Sequence, residues 1–261
     1  MAINAEWLWT PKDGKPDGAR VRIRDMSLSK YNQEIRYYSS LIGRTDTDVV
    51  ALSEIENASV VEDLVTSLGH PWRGYFRQGR DTATGQDVAL LSRLTLVEGS
   101  VTDFGFPAGR ISRTDKGKRL SKVIGAVFVD RDSAQHIGVV TAHFLSRRND
   151  NARKSANRLR QAQATLEALK QFDSTVGSIV VLGDFNDVHG SPTITRLREV
   201  GQLKSMIDHC APGVKSEGGI TPSTKRQIDH ILFKGMACRG RAYFDLEEMS
   251  DHYAVWAHLK I

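Results

Sequence analysis

Residues 178–187 read Ser-Ile-Val-Val-Leu-Gly-Asp-Phe-Asn-Asp, "SIVVLGDFND". A short apolar run, rich in β-branched residues and stopped by Gly-Asp, predicts a buried strand. The run ends on Asp184 and Asn186. A carboxylate beside a buried strand is costly unless it is paired or binds a metal. The same ending recurs along the chain. "VVALSEIEN" places Glu54 after an apolar run, and "VVTAHF" places His143 there. "QIDHILF" carries Asp229 inside a strand, and "SDHYAV" sets Asp251 and His252 at the start of one. One such residue is usually a solvated strand end. Five independent cases, four with carboxylates, point to one pocket at the mouth of a sheet system.

Between these runs the chain alternates strand-like and helix-like pieces, which argues for an α/β architecture. "NQEIRYYSSLI" spaces Ile35, Tyr38 and Leu41 or Ile42 as a helix. "SVVEDLVTSLG" predicts a helix capped by Ser59 with Glu62 three residues on, and stopped by Gly69. "KVIGAVFVD" and "HIGVVTAHF" predict an antiparallel hairpin across "RDSAQ". The longest predicted helix, from Ala152, has a core stripe of Ala152, Ala156, Leu159, Leu166 and Leu169. "SPTITRLREVG" predicts a helix with Pro192 near its first turn. "DVVAL", "QDVALLS", "CRGRAYFDL" and "YAVWAHLKI" supply further strands. Antiparallel hairpins with interspersed helices lead to a four-layer α/β sandwich. Two mixed, mostly antiparallel sheets pack face to face and helices flank both.

At 261 residues a single domain over 1–261 is expected. No apolar run is long enough for a membrane span. The net charge of +5 and pI near 9.2 lean toward a polyanionic partner. Two cysteines, Cys210 and Cys238, leave two readings open: free thiols, or a disulfide and an oxidising compartment. The chain is then periplasmic or secreted if they pair and the N-terminus is a processed form, and cytoplasmic otherwise.

The donor types narrow the chemistry. Oxygen ligands without thiolates suit Mg2+, Mn2+ or Ca2+ rather than zinc. Two histidines beside them suit proton transfer near neutral pH. Phosphate-ester hydrolysis uses this set: a cation against phosphate charge, a base for water, and donors for the oxygens.

The ordered motifs N-A-E-W, S-E-I-E-N, D-V-A-L-L-S-R, T-A-H-F, G-D-F-N-D, I-D-H-I-L and S-D-H-Y-A-V resemble the endonuclease/exonuclease/phosphatase superfamily, from Asn4 to Val255. This is the metal-dependent group of pancreatic-type deoxyribonuclease and exonuclease III. Only Ala2 and Ile3 precede Asn4 in the first strand, so the strand is expected to start late or to be trimmed. The resemblance implies that Glu54, Asp251 and Asn4 serve the metal. It implies that His252, oriented by Asp229, is the general base or meets phosphate, and that Asp184 and Asn186 position water and phosphate. His143 meets the phosphate or the leaving oxygen.

Strand alternation separates Asp229 from His230, so His230 is expected to pack between layers. Asp208-His209 matches no motif and is expected in a loop. Two basic clusters, 110–122 and 147–160, suggest a groove for a phosphate backbone, with Arg113, Arg119, Lys122, Arg147, Arg148 and Arg158 as substrate contacts. The expected function is a monomeric, metal-dependent phosphodiesterase on nucleic acid, a DNase of low sequence preference. DNA is favoured over RNA. A phosphomonoesterase or phospholipase of the same superfamily and a non-catalytic nucleic-acid-binding module are the alternatives.

Overall fold

Two six-stranded sheets, stacked face to face, form the centre of the computed structural model, which describes residues 1–11, 26–79, 85–103, 122–172, 175–211 and 226–261. The first sheet has the order β11-β12-β1-β2-β4-β3. Its strands are β1 (Ala2–Leu8), β2 (Val49–Ile55), β3 (Arg73–Arg77), β4 (Asp87–Ser92), β11 (Ala237–Asp245) and β12 (Tyr253–Lys260). The second has the order β5-β6-β7-β8-β10-β9. It comprises β5 (Thr95–Leu96), β6 (Val123–Val129), β7 (His136–Ala142), β8 (Ser178–Asp184), β9 (Lys204–Ser205) and β10 (Asp229–Lys234). Among the described strands only β1–β2 and β7–β8 run parallel, so the sheets are mixed and mostly antiparallel, as expected.

Period-two alternation sorts the core into three strata. On β2, Val50 and Leu52 face α1 (Leu28–Arg44) and α2 (Ala58–Leu68), while Ala51 faces the other sheet. The middle stratum joins Ala51, Leu90, Phe128, Val139, Leu182 and Ile231. On the far side Val140, Val181 and Leu232 meet α3 (Ala152–Leu169) and α4 (Pro192–Gly201). Four layers result, helix–sheet–sheet–helix.

The helix ends follow their caps. Ser191 Oγ accepts from Ile194 N (3.3 Å), with Pro192 in the first turn of α4. Gly69, at φ 75°, ends α2 as predicted. Its start differs from the prediction: Asn57, not Ser59, is the cap, because Asn57 Oδ1 lies 3.2 Å from Val60 N. The stripe of α3 also differs. Ala152 is exposed and Ala156 and Leu159 are half-buried, whereas Arg158, Ala162, Thr165, Leu166 and Leu169 form the inner face. Asp208 and His209 lie in a short helix, α5 (Met206–His209), not a loop. Cys210 and Cys238 form a disulfide, 28 residues apart in sequence, joining the end of α5 to β11. Among the described residues no helix is long and apolar enough to cross a membrane.

Register brings the polar strand ends together. Asn4 pairs with Ser53, next to Glu54, and Asp184 pairs directly with Asp229. His143 follows the last residue of β7, parallel to β8, and His252 precedes β12.

Candidate active site

Glu54 sits on a bulge, where the β2–β4 register shifts between Ser53 and Ile55, and its φ of 62° is left-handed. A non-glycine residue there costs on the order of 1–3 kcal/mol and persists only when its surroundings hold it. Two amides do so. Asn4 Nδ2 donates to Glu54 Oε1 (3.2 Å) and Gln86 Nε2 donates to Oε2 (2.5 Å). Asn4 Nδ2 also donates to Asp184 Oδ2 (3.0 Å), so one amide links carboxylates from the two sheets. Its Oδ1 accepts from Glu6 N (3.0 Å). A backbone N–H can only donate, which fixes this amide with its NH2 group toward the site. Asn4 therefore orients the two carboxylates with its amide hydrogens turned toward the site.

Asp184 is almost fully buried and is the hub. Its Oδ1 accepts from Asn186 N (2.8 Å), and Oδ2 from Asn186 Nδ2 (3.1 Å). His143 Nε2 stands 3.5 Å from Asp184 Oδ2 and 3.8 Å from Glu54 Oε1. Across the hub, His252 Nδ1 is 2.6 Å from Asp229 Oδ2, and its Nε2 lies 4.0 Å from Asp184 Oδ2 and 3.6 Å from Asp251 Oδ1. Asp251 is held by its backbone, N–H to Glu6 Oε2 at 2.8 Å, which leaves its half-exposed carboxylate at the mouth.

Packing so many carboxylates out of water shifts their protonation. Burial raises Glu54, with the charge of Asp251 adding to it against the pull of His252 and Asn4. Burial, then the Asp229 charge, pushes Asp184 up to about 8. For His252, burial works against the charged ring, but Asp229, Asp184 and Asp251 outweigh it and hold the group up at about 10. His143 goes the other way, well below the usual histidine value, through burial and the nearby charges of Lys122 and His252.

This cluster of mutually repelling carboxylates fits a cation. Glu54, His143 and Asp184 each offer one ligand atom, all within 4.8 Å of one another, and Asp184, Asp229 and His252 do the same. Asp229 Oδ1 is buried without a hydrogen-bond partner. An oxygen-rich donor set without sulfur suits a hard divalent ion.

Asn4, Glu54, His143, Asp184, Asn186, Asp229, Asp251 and His252 thus converge on one mouth. His230 does not. It is fully buried, stacked on Phe185 (centroids 5.9 Å apart), with Nε2 2.8 Å from Asp187 O. Gln86 and Glu6 were missed in the sequence. Gln86 opens the "QDVALLS" run, so it carried the same strand-edge signal as the others. His189 pairs with Asp208 (3.0 Å).

The basic residues are distributed differently from the expectation. Arg113 and Arg119 lie outside the described residues. Lys122 is buried, with its charge felt at Glu54 and His143. Arg148 is exposed. Arg158 is not at a groove surface: only 1% exposed, its guanidinium binds Asp187 (3.2 Å) and Asp150 (2.8 Å). Arg147 binds the same two carboxylates, at 2.5 and 3.4 Å.

Residues 24–252 match the sequence profile of the Endonuclease/Exonuclease/phosphatase family. None of the curated protein sequences matches the chain significantly. Among solved structures, an endonuclease/exonuclease/phosphatase from Bacteroides vulgatus superposes with a TM-score of 0.71 at 17% identity, covering 100% of this chain and 97% of that one. The human Nocturnin catalytic domain with bound sulfate superposes with a TM-score of 0.63 at 15% identity, covering 100% and 96%. A mannosyl-6-phosphatase of Bacteroides thetaiotaomicron gives 0.63 at 16%, covering 88% and 91%. These structures share the fold, and the sequence profile spans most of the motifs from which the site is built. The chain belongs to the endonuclease/exonuclease/phosphatase family of phosphoesterases.

Proposed function

We propose that the protein hydrolyses phosphodiester bonds in nucleic acid, DNA before RNA, with a bound divalent cation, Mg2+ in the first instance. The observation that carries the hydrolytic reading is the hub itself: Asp184, buried between His143 (3.5 Å) and the Asp229-held His252 (4.0 Å). Glu54 would hold the ion, with Asp251 at the mouth and Asp184 beside it. The ion supplies charge to offset the phosphate and to polarise the scissile bond. The protein does the rest. Asp229 keeps the His252 ring charged and aimed, which makes Nε2 a donor to a phosphate oxygen. Asp184 would take the water proton once a cation's charge offsets the burial and the Asp229 charge that otherwise keep it protonated. His143, kept neutral, is a hydrogen-bond donor to phosphate more than the acid for the leaving oxygen. Asn186 spends both amide hydrogens on Phe144 O (3.1 Å) and Asp184 Oδ2 (3.1 Å), so it serves by fixing Asp184.

Support for nucleic acid comes from the +5 net charge and from the basic run 110–122, which leads directly into β6 beside the site. The disulfide supports an exported location. A second reading, a small phosphomonoester substrate, is favoured by one observation: Arg147 and Arg158, two of the expected backbone contacts, are committed to internal ion pairs. Supercoiled plasmid, single-stranded DNA, RNA and sugar or inositol phosphates, each with Mg2+, Mn2+, Ca2+ or EDTA, separate these readings. Metal-dependent nicking is expected. Phosphate release from the monoesters without nicking would favour the second reading. DNA binding indifferent to EDTA, with no hydrolysis, would leave only a binding module.

A further inference from the structure

The Asn186 turn is gripped from three directions by groups that the chemistry above does not use. Phe185 stacks between Phe144 (4.9 Å) and His230 (5.9 Å). The carbonyl of Asp187 accepts from His230 Nε2 (2.8 Å). The carboxylate of Asp187 is closed by two guanidinium groups, Arg158 Nε on Oδ2 (3.2 Å) and Arg147 Nη1 on Oδ1 (2.5 Å). Asp150 bridges the two arginines from the other side, 2.8 Å from Arg158 and 3.4 Å from Arg147. At the centre, Asn186 holds a left-handed φ of 48°. An asparagine adopts that conformation at modest cost, but it does not hold it alone.

The same arginines also fasten the loop after His143. Arg147 N points at Asn186 Oδ1 (3.4 Å), and Arg158 Nη1 reaches Leu145 O (3.5 Å). Gln161 Oε1, one turn along α3 from Arg158, takes Leu145 N (2.8 Å). The turn carrying Asp184 and Asn186 and the loop leaving His143 are therefore tied to a single post on α3.

We propose that Arg158 and Asp187, with Arg147 and Asp150, are positioning residues for the phosphoesterase reaction. Their network, buried at Arg158 and Asp187, sets the Asn186 turn, and through it the direction of the Asp184 carboxylate, and locks the loop after His143 to the same frame. Removing one partner of a buried charge pair leaves the other unpaired. Without Arg158, Asp187 keeps only the half-exposed Arg147 as a cation on its carboxylate, and the turn that carries Asn186 loosens. A displacement near 1 Å at a reacting group costs about 100-fold in rate. Substrate binding at the mouth, away from the post, stays close to its original strength.

The kinetic part of this inference rests on the phosphoesterase reading; the structural part does not. The test compares Arg158→Met, Asp187→Asn, the double variant and Arg158→Lys, with Ile42→Val in α1 as a control for general loss of stability. Steady-state hydrolysis gives kcat and KM. Mn2+ binding, followed by electron paramagnetic resonance, reports the metal site. Hydrogen exchange of the peptides covering 144–150 and 184–188 reports the turn and loop. Each single variant is expected to lose about 10- to 100-fold in kcat, with KM and Mn2+ affinity within about threefold. The double variant should be no worse than the poorer single, since both act through one turn. Arg158→Lys should restore part of the rate. Exchange should rise in both peptides together, and not in Ile42→Val. If wild-type protein hydrolyses no phosphoester, the functional reading fails, and the paired rise in exchange still judges the network. Folded variants with unchanged exchange and unchanged kcat, or multiplicative losses in the double variant, would overturn the proposal.

Discussion

His230 offers a prediction whose size follows from the structure. The ring is fully buried and stacked on Phe185, with Nε2–H donated to Asp187 O at 2.8 Å and no water-exposed edge. Burial drives its pKa from 6.5 down to about 4, against the weaker opposing pull of the Asp187 carbonyl and the Asp229 charge. The unfolded chain binds the proton first as pH falls, so unfolding becomes easier in acid. The contribution of this ring is complete above pH 6.5, declines from there to pH 4, and is then exhausted. A shift of this size amounts to roughly 3 kcal/mol over the full window, and about 2 kcal/mol of it is gone by pH 5. Urea unfolding from pH 7.5 to 4 measures this directly against His230→Phe. That variant removes the titration while keeping the ring stack. It should lose about 1–3 kcal/mol at pH 7.5 through the unpaired Asp187 carbonyl. The gap to wild type should then close as pH falls, and reverse if the stack is well preserved. A gap that stays constant from pH 7.5 to 4 would show that His230 is not held neutral, and that the placement of this ring away from the site is mistaken.

Other outcomes follow from the site. Glu54→Gln should weaken Mn2+ binding in direct titration and reduce metal-dependent hydrolysis by about 100-fold or more, since the buried donor set loses a charged ligand. Asp229→Asn removes the largest support for the His252 charge. Its rate should drop on the order of 100-fold, and the His252 ring, followed by NMR, should titrate at a lower pH than in wild type. Reducing the Cys210–Cys238 bond releases a 28-residue separation and should destabilise the fold by about 3.5 kcal/mol on loop entropy alone, read as a shift of the urea midpoint. Hydrolysis under those reducing conditions should persist while the protein remains folded, because neither cysteine touches the site.

Much of this architecture was legible in the chain because sheets write themselves as period-two and apolar runs. A polar residue at the edge of a run marks where such residues gather. That rule located Glu54, His143, Asp184, Asp229 and His252, and alternation alone sent His230 to the other face of β10. The parts that were not legible depend on partners distant in sequence. Arg158 read as a substrate contact in the basic cluster 147–160 because its partner Asp187 is 29 residues on, beyond any helical period. The resemblance placed Asn4 near the metal, but residue type cannot reveal how its amide is oriented. That orientation comes from the bulge that turns Glu6 N toward Oδ1, where the β1–β2 register shifts between Asn4 and Leu8. The start of α2 slipped by two residues because Asn57 and Ser59 are both good caps, and only the backbone path decides between them. Gln86 stands at such an edge, opening the "QDVALLS" run, but matches none of the residues that carry the family resemblance.

The central claim is that Asp184 is the hub of a metal-dependent phosphoesterase centre. Hydrolysis of supercoiled plasmid by wild type and Asp184→Ala, side by side in Mg2+ and in EDTA, tests it most directly. Wild type should nick in Mg2+ and stop in EDTA, and folded Asp184→Ala should be slower by about 100-fold or more in Mg2+. Cleavage by Asp184→Ala at the wild-type rate would contradict the claim.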